Sequence, residues 1–311
     1  MSNIDIILPT YNGGQYLAGL LQSLFDQSNQ NFRILVRDDQ SSDDTSVILH
    51  RWAQSHPNRI IIVPSNERKG VIGNVSELLQ AATASYVMLC DQDDIWLPNK
   101  IEQTLALMKK IEETHSSTHP ILVHTDLHVV DSLLTSVSHS YWHHTRIDPY
   151  RGSTLNRLLI QNCVTGCTAM LNRSLVNRLG TLPNNCVMHD AWISLVACCF
   201  GTIGVHPQPT ILYRQHAAND TGAFSYTLPH ILRSIGKRAF QERLLRHRLL
   251  KTKQAFQFLE RYGTDLTCEQ KETVSDFVSL STVNRAKRLR LMLKRGFVRS
   301  GVLRNLQEII F

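Results

Sequence analysis

The chain has 311 residues, 42% hydrophobic and 19% charged, a globular composition that excludes a disordered chain and fits one domain of roughly 250 residues plus an appendage, or two domains. Its formal charge of +7 is uneven: Tyr226 to Phe311 carries 18 Lys and Arg against 7 Asp and Glu, a net of +11, which leaves residues 1–225 at −4. No apolar run reaches the roughly 18 residues of a membrane span, and seven cysteines without zinc spacing read as reduced thiols, so a cytoplasmic setting is expected.

Residues 1–9 lack the basic start of a secretory signal, and Asp5–Pro9 reads as a first buried strand. Leu17, Leu20, Leu21 and Leu24 repeat at helical spacing, which predicts a helix over Tyr16–Phe25. Phe32–Arg37 is a second strand ending in Asp38-Asp39, and Ser42-Asp43-Asp44 caps a helix over Thr45–Trp52. A strand over Arg59–Pro64, a helix over Gly73–Ala84 and a strand over Tyr86–Cys90 follow. That strand runs into Asp91-Gln92-Asp93-Asp94, and Pro98 opens a helix to Ile111. The alternation predicts a mostly parallel sheet covered by helices. Ligands bind beyond the C-terminal ends of such strands, so the two acidic clusters should share one rim.

Beyond residue 115 the pattern loosens. Pro120–Thr125 and Thr168–Asn172 read as strands, Leu155–Cys163, Ser174–Leu179 and Asp190–Phe200 as helices, Thr210–Tyr213 as a strand end, and Val129–Tyr150 as irregular. From Pro229 onward only helices are expected, over 231–262 and 267–294 with a break at Gly263-Thr264-Asp265, and a short amphipathic piece over Val298–Ile310.

Three carboxylates within four residues repel one another at a strand end. A hard cation, Mg²⁺ or Mn²⁺, resolves that repulsion and can bridge to a diphosphate. The same residues also read as a solvated acidic turn, with Asp94 capping the next helix. A carboxylate at Asp38 or Asp39 can accept the imide N–H of uracil or thymine; alternatively the segment is a polar loop with a helix cap.

Residues 4–13 (IDIILPTYNG), 34–44 (ILVRDDQSSDD) and 87–98 (VMLCDQDDIWLP) occur in order at suitable spacing, with Asn66, Gly70 and Asn74 between them. Together they resemble the inverting family 2 glycosyltransferases of GT-A fold over roughly residues 3–225. The resemblance implies an α/β, Rossmann-like fold with a mostly parallel central sheet flanked by helices, and a basic helical appendage at the C-terminus. It divides the chain into a glycosyltransferase domain at 1–225, with a nucleotide-sugar half at 1–115 and an acceptor half at 116–225, and a basic amphipathic tail at 226–311. It implies that Pro9, Thr10 and Tyr11 lie against base and ribose, and that Asp38 or, by preference, Asp39 reads the base edge. Lys69 or Arg68, with Asn74, lines the ribose-diphosphate region, Asp91 contacts the ribose or sugar side, and Gln92 belongs to the donor site. Asp93 binds the metal with Asp94 adjacent.

Met188-His189-Asp190-Ala191-Trp192 resembles the family's acidic pair near a helix N-terminus, with His189 in place of the usual Glu. Asp190 is then the base that takes the acceptor hydroxyl's proton, or else a helix N-cap. Tyr213-Arg214-Gln215-His216 adds His216 as a further metal ligand, or as a structural histidine, and Arg214 at the diphosphate, with a loop at Asn219–Ala223 closing over the donor. Asn162, Thr165 and Trp192 are acceptor candidates, Trp192 being equally readable as core.

DQDDIWLP with YRQH looks most like bacterial rhamnosyltransferases of surface-polysaccharide and O-antigen assembly. The donor implied is dTDP-L-rhamnose, with UDP-hexoses next, and the acceptor a glycan or lipid-linked oligosaccharide. The basic residues of the tail, Arg233 to Lys253, alternate with leucines and suit an anionic membrane surface, which would make the protein peripheral at the inner face of the cell membrane. The same helices also suit packing on the body or in a homodimer. No motif points to nucleic acid. Two other classes stay open: a nucleotidyltransferase, which usually carries a basic glycine-rich loop where Pro9-Thr10-Tyr11-Asn12-Gly13-Gly14 stands, and a non-catalytic sugar-nucleotide-binding scaffold.

Overall fold

The computed structural model describes residues 3–116, 118–216, 238–301 and 305, without the side chains of residues 238–241, 243 and 244. The closing loop expected at 219–223, Arg233 and Lys237 of the tail, and most of the piece expected over 298–310 lie outside the described residues.

In chain order the elements are β1 (Ile4–Thr10), α1 (Gly14–Phe25), β2 (Phe32–Asp38), α2 (Thr45–Ser55), β3 (Ile60–Ile62), α3 (Gly70–Ala81), β4 (Tyr86–Leu89), β5 (Ile95–Trp96), α4 (Lys100–Glu112), β6 (Ile121–Val130), β7 (Ser136–Ser138), α5 (Tyr141–Thr145), α6 (Pro149–Gly152) and α7 (Leu155–Ile160). After them come β8 (Met170–Asn172), α8 (Arg173–Leu179), α9 (His189–Phe200), β9 (Thr202–Arg214), α10 (Arg238–Tyr262), α11 (Cys268–Ser279) and α12 (Arg285–Arg295). This is the GT-A type of α/β fold.

The chain forms two compact units. One comprises Met1–Tyr141, Val164–Asn184 and Phe200–Ala223; the other comprises Trp142–Cys163, Asn185–Cys199 and Phe224–Phe311. The first holds the sheet, in the order β3-β2-β1-β4-β8-β6-β9-β5, with β7 on β6. β1 pairs in parallel with β2 and β4, and β2 with β3. These strands carry apolar residues on both faces because helices cover both: Ile4, Ile6, Ile7 and Leu8 have no exposure, nor have Leu17, Leu20, Leu21 and Leu24 of α1. β8 is antiparallel to β4 and to β6, so β6 runs in the same direction as β4, and β9 is parallel to β6. Thr10 stands opposite Asp38 and Val130 opposite Arg214. The C-terminal ends of β1, β2, β6 and β9 therefore lie along one edge.

β9 is far longer than the strand end foreseen at Thr210–Tyr213. Pro207 and Pro209 obscure it, since each lacks a ladder N–H; the β6–β9 register shifts between Thr125 and His128, where those prolines pass. The stretch read as irregular holds β7 and two short helices, of which α6 is capped by Asp148 accepting from the N–H groups of Tyr150 and Arg151.

In the second unit, segments upstream of residue 225 share a core with the C-terminal helices, so the compact units cut across the boundary drawn there from sequence. Trp192 of α9 packs against the rings of Phe258 and Tyr262 on α10, at 5.5 and 6.1 Å between centroids. Polar contacts fix the same arrangement. Gln254 Oε1 accepts from Val187 N–H at 2.8 Å, Gln270 Nε2 donates to Cys199 O at 2.9 Å, and Asn156 Nδ2 donates to Arg295 O at 3.0 Å. Among the described residues, no helix is long and apolar enough to cross a membrane.

Candidate active site

The rim of the first unit is built by stitching the loop after β1 to the loop after β2. Thr10 Oγ1 donates to Asp38 Oδ1 at 2.8 Å, and Ser41 closes the same carboxylate through its N–H at 2.9 Å and its hydroxyl at 2.6 Å. Asn12 takes the left-handed conformation, with φ +48°, and its side-chain oxygen accepts from Ser42 N–H at 2.8 Å. Gly13 passes so close to Gln92 that a Cβ would lie 2.2 Å from Oε1. That glycine lets Gln92 clamp the main chain of Tyr11, accepting from its N–H and donating to its carbonyl, both at 2.9 Å.

Behind this loop lies a buried frame. The Asp39 carboxylate, 2% exposed, accepts from the N–H groups of Lys69 at 2.7 Å and Gly70 at 2.8 Å and faces the Arg37 guanidinium at 3.4 Å. Gly70 has φ +67°, a conformation glycine adopts without a Cβ penalty. Arg37 also donates to Asn74 Oδ1 and to Glu67 O. Three residues expected at the donor, Asp39, Asn74 and the main chain of Lys69, are thus joined through Arg37 into the support of the 67–70 loop. Lys69 Nζ pairs with Glu77 at 2.7 Å and Glu67 at 3.2 Å, hydrogen bonds that raise its pKa. Above the frame the Arg68 guanidinium lies 3.9 Å from the centroid of the Tyr11 ring, and both side chains reach solvent.

Asp93 and His216, 123 positions apart in sequence, meet at 2.8 Å between Oδ2 and Nε2. His216 stacks on Tyr16 of α1 at 4.8 Å. Arg214 is buried beneath this pair. Its Nε donates to Asp93 O and its Nη1 to Ser132 O, both at 2.8 Å, and its main-chain N–H donates to Asp94 Oδ1 at 3.1 Å. The guanidinium expected at a diphosphate is therefore used to hold the acidic turn against β9.

Asp94 has no exposure, and burial, then the charges of Asp93 and Asp91, push its pKa well above the usual carboxylate range. Ligand atoms of Asp91, Asp94 and Cys167 lie within 4.8 Å of one another. Burial keeps Cys167 a thiol. Beside the cluster stands Lys100, wholly buried, its ammonium 4.6 Å from the Trp96 ring centroid and donating to Thr168 O at 3.3 Å; burial lowers its pKa to about 8.

The donor set suits a hard divalent cation. Asp91 and Asp94 bring carboxylates together beside the Cys167 thiol, Asp93 pairs with the His216 imidazole nearby, and burial and then like charge outweigh the hydrogen bonds that favour the Asp94 carboxylate. The carboxylates and the imidazole fit Mg²⁺ or Mn²⁺; Asp91, Asp93 and His216 are half-buried and Asp94 is wholly buried.

In the second unit Asp190 occupies the first turn of α9 next to His189, which is buried and whose pKa burial lowers. Trp192 is corrected: it has no exposure and belongs to the core, because Phe258 and Tyr262 cover it, so it cannot stack on a sugar. Asn162 and Thr165 are half-buried, each in its own unit. The sequence reading missed Arg37, Lys100, Cys167 and Tyr16. Arg37 stands beside the Asp38-Asp39 pair it supports, which is a usable local signal; the others carry none.

Comparison with known proteins bears on these features. The profile described as Glycosyl transferase family 2 matches residues 5–180, more than half of the chain. The Escherichia coli UDP-Glc:alpha-D-GlcNAc-diphosphoundecaprenol beta-1,3-glucosyltransferase WfgD is 28% identical over 175 residues, 56% of this chain and 62% of that protein, so this chain spans less than two thirds of its relative. The dTDP-rhamnosyl transferase RfbG of Shigella flexneri is 25% identical over 231 residues, covering 70% of this chain and 74% of that one. Among solved structures, Staphylococcus aureus TarS 1-349 superposes with a TM-score of 0.58 at 16% identity, over 94% of this chain and 72% of that one. The Pyrobaculum calidifontis mannosyltransferase PcManGT, solved with GDP-Man and Mn²⁺, gives 0.55 at 18% identity, over 98% and 78%. The structural likenesses establish the fold alone. The shared rim, the ordered motifs and the matching profile place this chain in glycosyl transferase family 2.

Proposed function

We propose that the chain is an inverting, metal-dependent glycosyltransferase of bacterial surface-polysaccharide synthesis. It would take L-rhamnose from dTDP-L-rhamnose to a glycan or lipid-linked oligosaccharide at an anionic membrane surface. The observation that carries the reading is the Asp93–His216 pair, assembled from two distant motifs at the C-terminal edge of the sheet. RfbG supports the rhamnose donor. WfgD, a UDP-Glc enzyme by name, supports UDP-hexose as the second reading.

Asp93 and His216 would hold Mg²⁺ or Mn²⁺, with Asp91 and Asp94 as the adjoining carboxylates. When bound, the cation supplies charge stabilisation to the departing diphosphate. Tyr11 and Arg68, an exposed ring and guanidinium in face contact, would border the base and phosphates. Asp39 shapes their loop through two main-chain N–H groups. Asp190 would take the proton of the acceptor hydroxyl as that oxygen bonds to the anomeric carbon and the bond to the diphosphate oxygen breaks. A single displacement of this kind inverts the centre and needs no enzyme nucleophile.

Two measurements test this. The chain is given dTDP-L-rhamnose, UDP-glucose, UDP-N-acetylglucosamine and GDP-mannose, with Mn²⁺ and with chelator, and donor binding and hydrolysis are followed. Metal-dependent turnover of dTDP-L-rhamnose is expected; preferred turnover of UDP-glucose moves the donor to the second reading, and failure of every donor to bind sinks the class. Asp190→Asn should lower transfer about 10²- to 10⁴-fold with donor affinity retained. An active Asp190→Asn variant removes Asp190 as the base.

A further inference from the structure

Tyr16 lies outside the motifs that suggested the transfer reaction, yet it touches the histidine on which the metal reading depends. The loop after β1 runs into the first turn of α1, where Tyr16 N–H donates to Gly13 O at 3.0 Å. From that turn its ring stacks on the His216 imidazole, with centroids 4.8 Å apart and planes inclined by 26°. The Arg214 guanidinium lies 4.8 Å from the centroid of the same ring. Arg214 ends β9, and Gln215 N–H still donates to Val130 O at 2.9 Å, so the chain stays extended and side chains 214 and 216 fall on one side. That side meets Tyr16.

The two contacts differ in consequence. Arg214 has polar contacts of its own, from Nε to Asp93 O and from Nη1 to Ser132 O. His216 stands beyond the last residue of the strand and presents Nε2 to Asp93 Oδ2 at 2.8 Å. An imidazole can turn about both of its side-chain bonds, and a ligand group that is correctly placed only part of the time weakens binding by that fraction. A stacked ring fixes the plane of the imidazole, and an aromatic pair is worth up to roughly tenfold in an equilibrium. The ring face of Tyr16, not its hydroxyl, makes both contacts.

We infer that Tyr16 is a positioning residue, whose ring holds the His216 imidazole toward Asp93 and so sets the affinity for the divalent cation. The inference deepens the metal reading proposed above and rests on it; it does not depend on which sugar is transferred.

Mn²⁺ binding to the full chain tests it. The ion is added alone, with UDP and with dTDP; its affinity is measured by paramagnetic resonance, and its spin echo is searched for nitrogen modulation from a bound imidazole. The unaltered chain should show the modulation and His216→Gln should lose it. Tyr16→Leu, which keeps a good helix former at a half-buried position, should lose most of the modulation and bind Mn²⁺ roughly tenfold more weakly. Tyr16→Phe keeps the ring and should match the unaltered chain in both. In the His216→Gln background Tyr16→Leu should weaken Mn²⁺ no further, because the ring acts through an imidazole that is then absent. Three outcomes overturn the inference and leave the metal reading standing: full modulation in Tyr16→Leu, equal weakening by Tyr16→Leu with and without His216, which would make the ring a packing residue only, or loss of modulation in Tyr16→Phe, which would give the role to the hydroxyl. An unaltered chain that shows no nitrogen modulation in any of the three conditions removes His216 as a ligand, and the inference then falls together with that part of the metal reading.

Discussion

Two acidic clusters lie on one rim of the sheet, and their carboxylates are treated in opposite ways. In the first, Asp38 accepts from Thr10 and twice from Ser41, and Asp39 accepts from two main-chain N–H groups beside Arg37. Asp43 accepts from Gly14 and twice from Thr45; partial burial opposes its charge, but these bonds outweigh it and leave its pKa below the usual value. In the second cluster Asp94 is pushed the other way, by burial and by its own neighbours Asp93 and Asp91. A carboxylate supplied with N–H donors is a joint in the scaffold. Asp94 also accepts the Arg214 N–H, but burial and like charge outweigh that bond, and in the proposed reading a cation would take up the remaining charge.

If that distinction holds, the largest effect on chemistry comes from the second cluster. Asp93→Asn should lower transfer about 10²- to 10³-fold, abolish the response to Mn²⁺, and lower the thermal midpoint less than Asp39→Asn does, since the Asp93 side chain is 16% exposed against 2% for Asp39. Steady-state rates against metal concentration, with a melting curve on the same sample, provide the check. A variant that stays metal-dependent and active would move the cation elsewhere.

Asp39→Asn should do the reverse. Removing the carboxylate leaves the Arg37 guanidinium, 3% exposed, with a neutral neighbour, and it replaces an acceptor for two N–H groups by an amide. Breaking one side of a buried pair costs about 3–5 kcal/mol, so urea denaturation should show the loss even with no donor present. Unchanged stability with abolished donor binding would mean that Asp39 contacts the base directly, and the contrast between the clusters would fall.

The contrast also explains what could be read in advance. Both clusters were legible because they follow short apolar strands, β2 and β4, whose ends are set by local pattern. The alternation of β1 to β4 with α1 to α3 was legible for the same reason, since β1, β2 and β4 bury apolar residues on both faces. What local pattern cannot carry is the identity of a partner far along the chain. Asp39 reads equally as a base reader or a loop residue, and only the fold brings the N–H groups of Lys69 and Gly70 around it. Trp192 reads equally as core or sugar platform until Phe258 and Tyr262 are seen to cover it. β9 was hidden by two prolines that β6 accommodates through register shifts. Lys100, next to Pro98 and Asn99 at a helix start, has the sequence context of a surface residue, yet it lies wholly buried between Trp96 and the carbonyl of Thr168.

Lys100 offers the finest probe of the second cluster. Burial lowers its pKa from 10.5 to about 8. Between those values the unfolded chain binds more protons than the folded one, so this group's penalty is complete below pH 8 and fades as pH rises toward 10.5. Lys100→Met keeps the stem against Trp96 and removes the charge. It should therefore stabilise the protein at pH 7 by about 1–3 kcal/mol and flatten the rise in stability between pH 8 and 10.5, both readable from denaturant midpoints across that range. The opposite sign would be equally informative. Coulombic attraction from Asp94 opposes the burial penalty on Lys100, but only as a lesser contribution. If the methionine variant were less stable at pH 7, the ammonium would already be neutralising the Asp91–Asp94 turn, and that turn would need a metal less than its crowded carboxylates suggest.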